Sequence, residues 1–220
     1  MRQIGTIVGK EWSCFVGSEK GVFVVYAVLL GVWSFLPRQN ALNGFGPVAA
    51  MWWMSLSVIV CSSFANSVFV AERISGSMEI LLTSGFSRDA VIIGKIAFVV
   101  LMSAGLGLGC TLLSLAWPLG SLPPFFVESE LLGLMLYFGG AFLGASAGAW
   151  MSIQFSSPRI MPFANLFLVI ALCSVYYSVD HFFTLPLSAL FCGTVVVGCA
   201  FLWRAQRDFH GEKVIAPVDV

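Results

Sequence analysis

Long apolar runs alternate along the chain with short polar breaks. About 20 apolar residues of helix cross the hydrocarbon core of a bilayer. On that measure the runs predict six spans, at about 20–36, 47–70, 91–117, 131–155, 160–179 and 184–203. Pro37 and Pro118 close the first and third, and the breaks PRQNALNGFG, PLGSLPPFFVESE, SSPR and SVDHF separate the others. Residues 2–18 have a different rhythm. Ile4, Ile7, Val8, Trp12, Phe15 and Val16 fall on one side of a helical wheel, while Arg2, Gln3, Thr6, Lys10 and Ser13 fall on the other and Glu11 sits near the edge. This pattern predicts an amphipathic helix lying in the membrane interface.

Composition makes the membrane reading firm. Hydrophobic residues are 59% of the 220 and charged ones 10%, against about 25% charge in a typical soluble domain. The expected fold class is therefore an all-α integral membrane protein, one transmembrane domain over 1–220 with a tail at 204–220. A formal net charge of zero argues against a nucleic-acid partner. The first apolar run begins only at Gly21, and no small-residue cleavage site follows it, so no signal peptide is expected.

Lysine and arginine orient the spans. Arg2, Lys10, Lys20, Arg73, Arg88, Lys95, Arg159, Arg204, Arg207 and Lys213 fall on the side of the termini, and Arg38 alone on the other. Both termini are expected in the cytoplasm. Trp12, Trp52, Trp53, Trp117 and Trp203 lie near predicted span ends, where an aromatic belt accounts for them.

The spans offer little chemistry. Six cysteines show no CxxC spacing and read as small core hydrophobes. His181 and His210 lie in a loop and the tail, and no intramembrane His, Ser–Lys or carboxylate pair is present to catalyse a reaction. Neither an enzyme nor a proton-coupled pump is expected, and no metal or cofactor site. Gly140, Gly144 and Gly148, and likewise Gly105 and Gly109, recur at four-residue steps, a spacing that lets helices approach closely within one subunit or between two. In the second span Ser55, Ser62 and Asn66 share a face, which either lines a translocation path or bonds back to its own helix.

One polar island breaks the pattern. Residues 71–95 hold Glu72, Arg73, Glu79, Arg88, Asp89 and Lys95, six of the chain's charged residues. Within it Gly76 precedes the short apolar run Ser77-Met78-Glu79-Ile80-Leu81-Leu82, and Thr83-Ser84-Gly85 ends it. Ser87 is then a good N-cap with Asp89 in the first turn. The expected geometry is helix, break, short helix along the membrane at 71–90, break, helix: a stiff knuckle that a partner can grip.

The run Ala71-Glu72-Arg73-x-x-Gly76-Ser77-Met78-Glu79-x-Leu81-Leu82, with Ile93-Gly94-Lys95 beyond it and Gly9-Lys10-Glu11 in the N-terminal helix, resembles the permease subunits of type-2 ABC transporters. In compactness the chain is similar to haem-export, gliding- and copper-associated permeases. It departs from them in carrying Gly85-Phe86 where proline is common, and in the short connection at 178–184, which leaves little room for re-entrant helices.

The resemblance implies an exporter subunit of the cell membrane, the inner membrane in a Gram-negative bacterium. It implies as partners a dimer of ABC ATPase subunits, a second permease subunit and membrane lipid. No GxxxxGK[ST] occurs in this chain, so ATP and Mg would be bound by the partner. It assigns ATPase coupling to Glu72, Arg73, Gly76, Ser77, Glu79, Leu82 and Arg88. Two alternatives stand beside it: an ABC-associated membrane anchor or mechanical transmitter without cargo, and a substrate-capturing membrane subunit.

Overall fold

A computed structural model describes residues 2–18, 25, 27–35, 48–65, 68–69, 83, 85–116, 126–155, 161–182 and 187–209. Among these the regular elements are helices, with no strand. In chain order they are α1 (Arg2–Ser18), α2 (Val48–Ala65), α3 (Arg88–Ala116), α4 (Phe126–Gln154), α5 (Met161–Phe182) and α6 (Leu187–Asp208). A helical stretch at 27–35 lies between α1 and α2; the rest of the expected first span is outside the described residues.

Among the described residues, three segments are long and apolar enough to cross a membrane: Arg88–Ala116, Leu131–Gln154 and Ser188–Asp208. They correspond to the expected third, fourth and sixth spans. The 29 residues of α3 extend about 44 Å at 1.5 Å per residue. The hydrocarbon core is about 30 Å thick, so nearly three turns of α3 reach beyond it.

Helix α4 is the hub, packed against α2, α3, α5 and α6. From Leu136 to Ile153 it is mostly buried, with Leu136, Tyr137, Ala141, Leu143, Ala145, Ala147 and Ala149 in the interior. A helix apolar on every side belongs in such a place. The outer helices turn large side chains outward instead, Phe163, Leu166, Phe167 and Ile170 on α5 and Val196 on α6. Exposed apolar surface on that scale suits lipid rather than water.

The glycine spacing of α4 finds its partner on α2. A Cβ on Gly144 would stand 3.1 Å from the Cβ of Cys61, and one on Gly148 would stand 2.8 Å from the Cβ of Ala65. Gly140 meets Ser57 in the same way. Small residues at four-residue steps thus face small residues at four-residue steps, and the backbones come close enough for the Cys61 thiol to reach the Ala141 carbonyl at 3.3 Å. The packing lies within one chain. On α3 the outcome is mixed, since a Cβ on Gly105 would meet nothing within 4 Å while one on Gly109 would touch Leu30 at 3.1 Å.

Trp53 departs from the expected aromatic belt. It is 0% exposed, lies edge-on to Tyr137 with ring centroids 5.8 Å apart, and covers Gly133, where a side chain would collide with its indole. The missing Cβ makes room for the ring inside the bundle. Trp12 and Trp203, at 51% and 55% exposed, do fit a belt. The side chain of Trp52, and all of Trp117, lie outside the described residues.

Candidate functional site

The N-terminal end of α3 is built as a capped joint. Gly85 has φ +85°, the left-handed conformation that costs glycine nothing, and the chain turns there into α3. The Ser87 hydroxyl accepts the amide of Ala90 at 3.3 Å, and its carbonyl accepts the amide of Val91 at 3.1 Å. This is the N-cap arrangement expected from sequence, with Asp89 in the first turn where the helix dipole favours an acid. The same hydroxyl lies 3.3 Å from Gln3 Oε1, to which it donates, and so touches α1.

Helix α1 then lies along the first turns of α3. Ile7 is buried with Ala90 and Val91, and Ile4 and Phe86 flank them. A Cβ on Gly94 would stand 2.9 Å from Ile7 Cγ2, so glycine lets the isoleucine rest on the backbone of α3. At the far end of α1 the Phe15 ring meets Phe64 of α2 at 5.5 Å and Phe98 of α3 at 6.3 Å. The buried stripe of α1 is Ile7, Glu11 and Phe15, whereas Trp12 and Val16 face outward. Its apolar arc is therefore divided between protein and exterior.

Between these apolar contacts sits a buried ion pair. Lys95 is 0% and Glu11 5% exposed, with Lys95 Nζ 3.0 Å from Glu11 Oε1. The ammonium also donates to the Val68 carbonyl at 3.2 Å and stands 5.8 Å from the Phe69 ring centroid. The π-helical pair Val68–Phe69 thus brings the chain beyond α2 to the same lysine. Lys10 approaches the same carboxylate oxygen from the half-exposed side at 3.6 Å. One carboxylate and one ammonium join α1, α3 and the chain leaving α2. Hydrogen bonds from charged groups in low dielectric are strong, and costly to leave half-made.

The sequence placed Lys95 at the end of the polar island and Glu11 at the edge of an amphipathic wheel. It did not pair them. The available signal was a lysine flanked by apolar residues in IIGKIAFVV, together with an acid on the stripe that also carries Ile7 and Phe15.

Of the expected coupling residues, Arg88 is exposed in the first turn of α3. Glu72, Arg73, Gly76, Ser77, Glu79 and Leu82 lie outside the described residues, and so does Asn66. Ser55 and Ser62 belong to α2, but their side chains are likewise outside that set. Among the described residues the joint shows no nucleophile–base pair, and no group of three His, Cys, Asp or Glu suited to a metal occurs. The arrangement holds one face of the N-terminal helix against the first turns of a long apolar one. Comparison of the chain with protein-family models, with curated proteins and with solved structures finds no match.

Proposed function

We propose that this chain is the membrane-spanning subunit of an ATP-driven exporter of the type-2 ABC class. In this reading it crosses the cell membrane six times with both termini in the cytoplasm. A separate pair of ATPase subunits drives it, and a second permease subunit completes the path. The segment 71–90 is the surface the ATPase grips, through Glu72, Arg73, Gly76, Ser77, Glu79, Leu82 and Arg88.

The observation that carries the reading is the clamp between α1 and α3. Force on 71–90 enters α3 through the capped start at Ser87. The Lys95–Glu11 pair makes α1 move with it. Switching a gate from 1:99 to 99:1 takes about 5.5 kcal/mol of differential binding, and a loose joint would dissipate that. The three long apolar helices supply the rods that such a push would tilt.

The test begins with co-purification in mild detergent, which should recover an ATPase subunit. Gly76→Pro and Glu79→Lys should then insert normally yet lose most of the stimulation of that ATPase and the transport coupled to it. Full stimulation and transport in both variants would refute the coupling role. Ile80→Cys should react with impermeant thiol reagents only from the cytoplasmic side; labelling from outside would overturn the topology.

A further inference from the structure

Helices α5 and α6 flank a groove of about 330 Å³. Its floor is formed by Met54 of α2 and Leu143 of α4, and its walls by residues such as Leu172 and Val175 of α5 and Leu190 and Val197 of α6. Thr194 is a polar side chain in the lining, and its hydroxyl donates to the Phe191 carbonyl of its own helix at 2.8 Å. Gly193 lies in the wall, and a Cβ there would meet nothing within 4 Å.

The lining narrows the choice of occupant. An extended peptide would bring backbone groups that this wall cannot satisfy. A hydrocarbon chain has no backbone to satisfy.

The rest of the ligand is read from α6 itself. The helical stripe through Gly193 and Val197 continues to Arg204, about 16 Å further along the axis at 1.5 Å per residue. Half of a hydrocarbon core is about 15 Å, so a phosphate held at Arg204 sets its acyl chain at the depth of the groove. Arg204 and Arg207 stand 5.8 and 5.5 Å from the Trp203 ring centroid. Among the described residues neither guanidinium has a carboxylate partner. Paired arginines beside an exposed interfacial tryptophan suit an anionic headgroup.

We infer that the α5–α6 groove binds one anionic phospholipid of the leaflet at the C-terminal end of α6, its phosphate on Arg204 and Arg207 and one acyl chain against Gly193 and Val197. This rests on the membrane-spanning part of the proposed function and is independent of any ATPase partner.

The test is native mass spectrometry of the detergent-solubilised full chain, titrated with phosphatidylglycerol and phosphatidylcholine of identical 16-carbon chains. The wild type should retain one phosphatidylglycerol about tenfold more tightly than phosphatidylcholine. Arg204→Gln with Arg207→Gln should erase that preference, and Gly193→Phe should weaken both lipids alike. In the wild type, phosphatidylglycerol with six-carbon chains should bind no better than phosphatidylcholine, a readout that needs no variant to fold. Equal retention of both long-chain lipids, or undiminished binding by Gly193→Phe, would overturn the inference. So would disulfide cross-linking of Gly193→Cys between two copies, since a second chain would then cover the groove.

Discussion

Removing Glu11 should damage this protein more than removing both members of its ion pair. In Glu11→Ala the Lys95 ammonium stays 0% exposed and keeps the Val68 carbonyl at 3.2 Å, but loses its counter-charge at 3.0 Å. Breaking one side of such a buried pair costs about 3–5 kcal/mol, whereas replacing both sides by apolar groups of similar volume is commonly neutral or stabilising. The expected order of stability is therefore Glu11→Leu/Lys95→Met at or above wild type, Glu11→Gln intermediate, and Glu11→Ala lowest. Glu11→Gln retains an acceptor but not the charge, and its expected loss is about 1.5–3 kcal/mol. Equilibrium unfolding in mixed micelles measures the four proteins side by side. Limited trypsin cleavage at half-exposed Lys10 reports whether α1 has lifted, because local opening exposes that bond before global unfolding does. If Glu11→Ala and the double variant lose the same stability, or if Glu11→Ala changes stability by less than about 0.5 kcal/mol, the pair does not hold the joint. If the apolar double variant is stable but fails to stimulate the proposed ATPase partner, the pair serves geometry rather than stability.

Three further outcomes follow from the packing. Gly148→Leu should destabilise by about 1–3 kcal/mol through overpacking, because its Cβ would stand 2.8 Å from Ala65 on α2; Gly105→Leu, whose Cβ meets nothing within 4 Å, should stay within about 0.5 kcal/mol, and thermal unfolding in detergent compares them. Ser87→Ala should cost about 1 kcal/mol through the cap on Ala90 and the contact with Gln3, while Ser87→Asp restores the cap; hydrogen exchange in the first turn of α3 reads the difference. Tyr137→Phe removes the hydroxyl that donates to the Ser103 carbonyl at 2.8 Å and meets the Ser103 hydroxyl at 2.8 Å. It should cost about 1–3 kcal/mol, and Tyr137→Phe/Ser103→Ala should recover part of that in the same unfolding assay.

Much of the architecture was legible before any coordinates. Apolar run length announced α3, α4 and α6, because a chain that must satisfy its backbone without water has few options beyond helix. The N-cap at Ser87 was readable because capping is a contact between residues three positions apart. The four-residue spacing of Gly140, Gly144 and Gly148 announced a close helix approach. These signals are local: each concerns neighbours on one helix, and the period of the helix turns them into a pattern.

The tertiary structure decided which surfaces meet. Nothing along the chain states that the glycine seam of α4 faces Ser57, Cys61 and Ala65, or that Trp53 turns into the bundle over Gly133 rather than toward a lipid interface. Lys95 and Glu11 stand 84 positions apart, one at the end of a polar island and the other at the edge of an amphipathic wheel, and neither position names the other. Only when α1 settles along α3, with Ile7 against Gly94, are both taken out of water, and only then does each become costly to leave without the other. A sequence records which side chains carry charge; the dielectric around them, and so the strength of their attraction, is created when distant helices close over them.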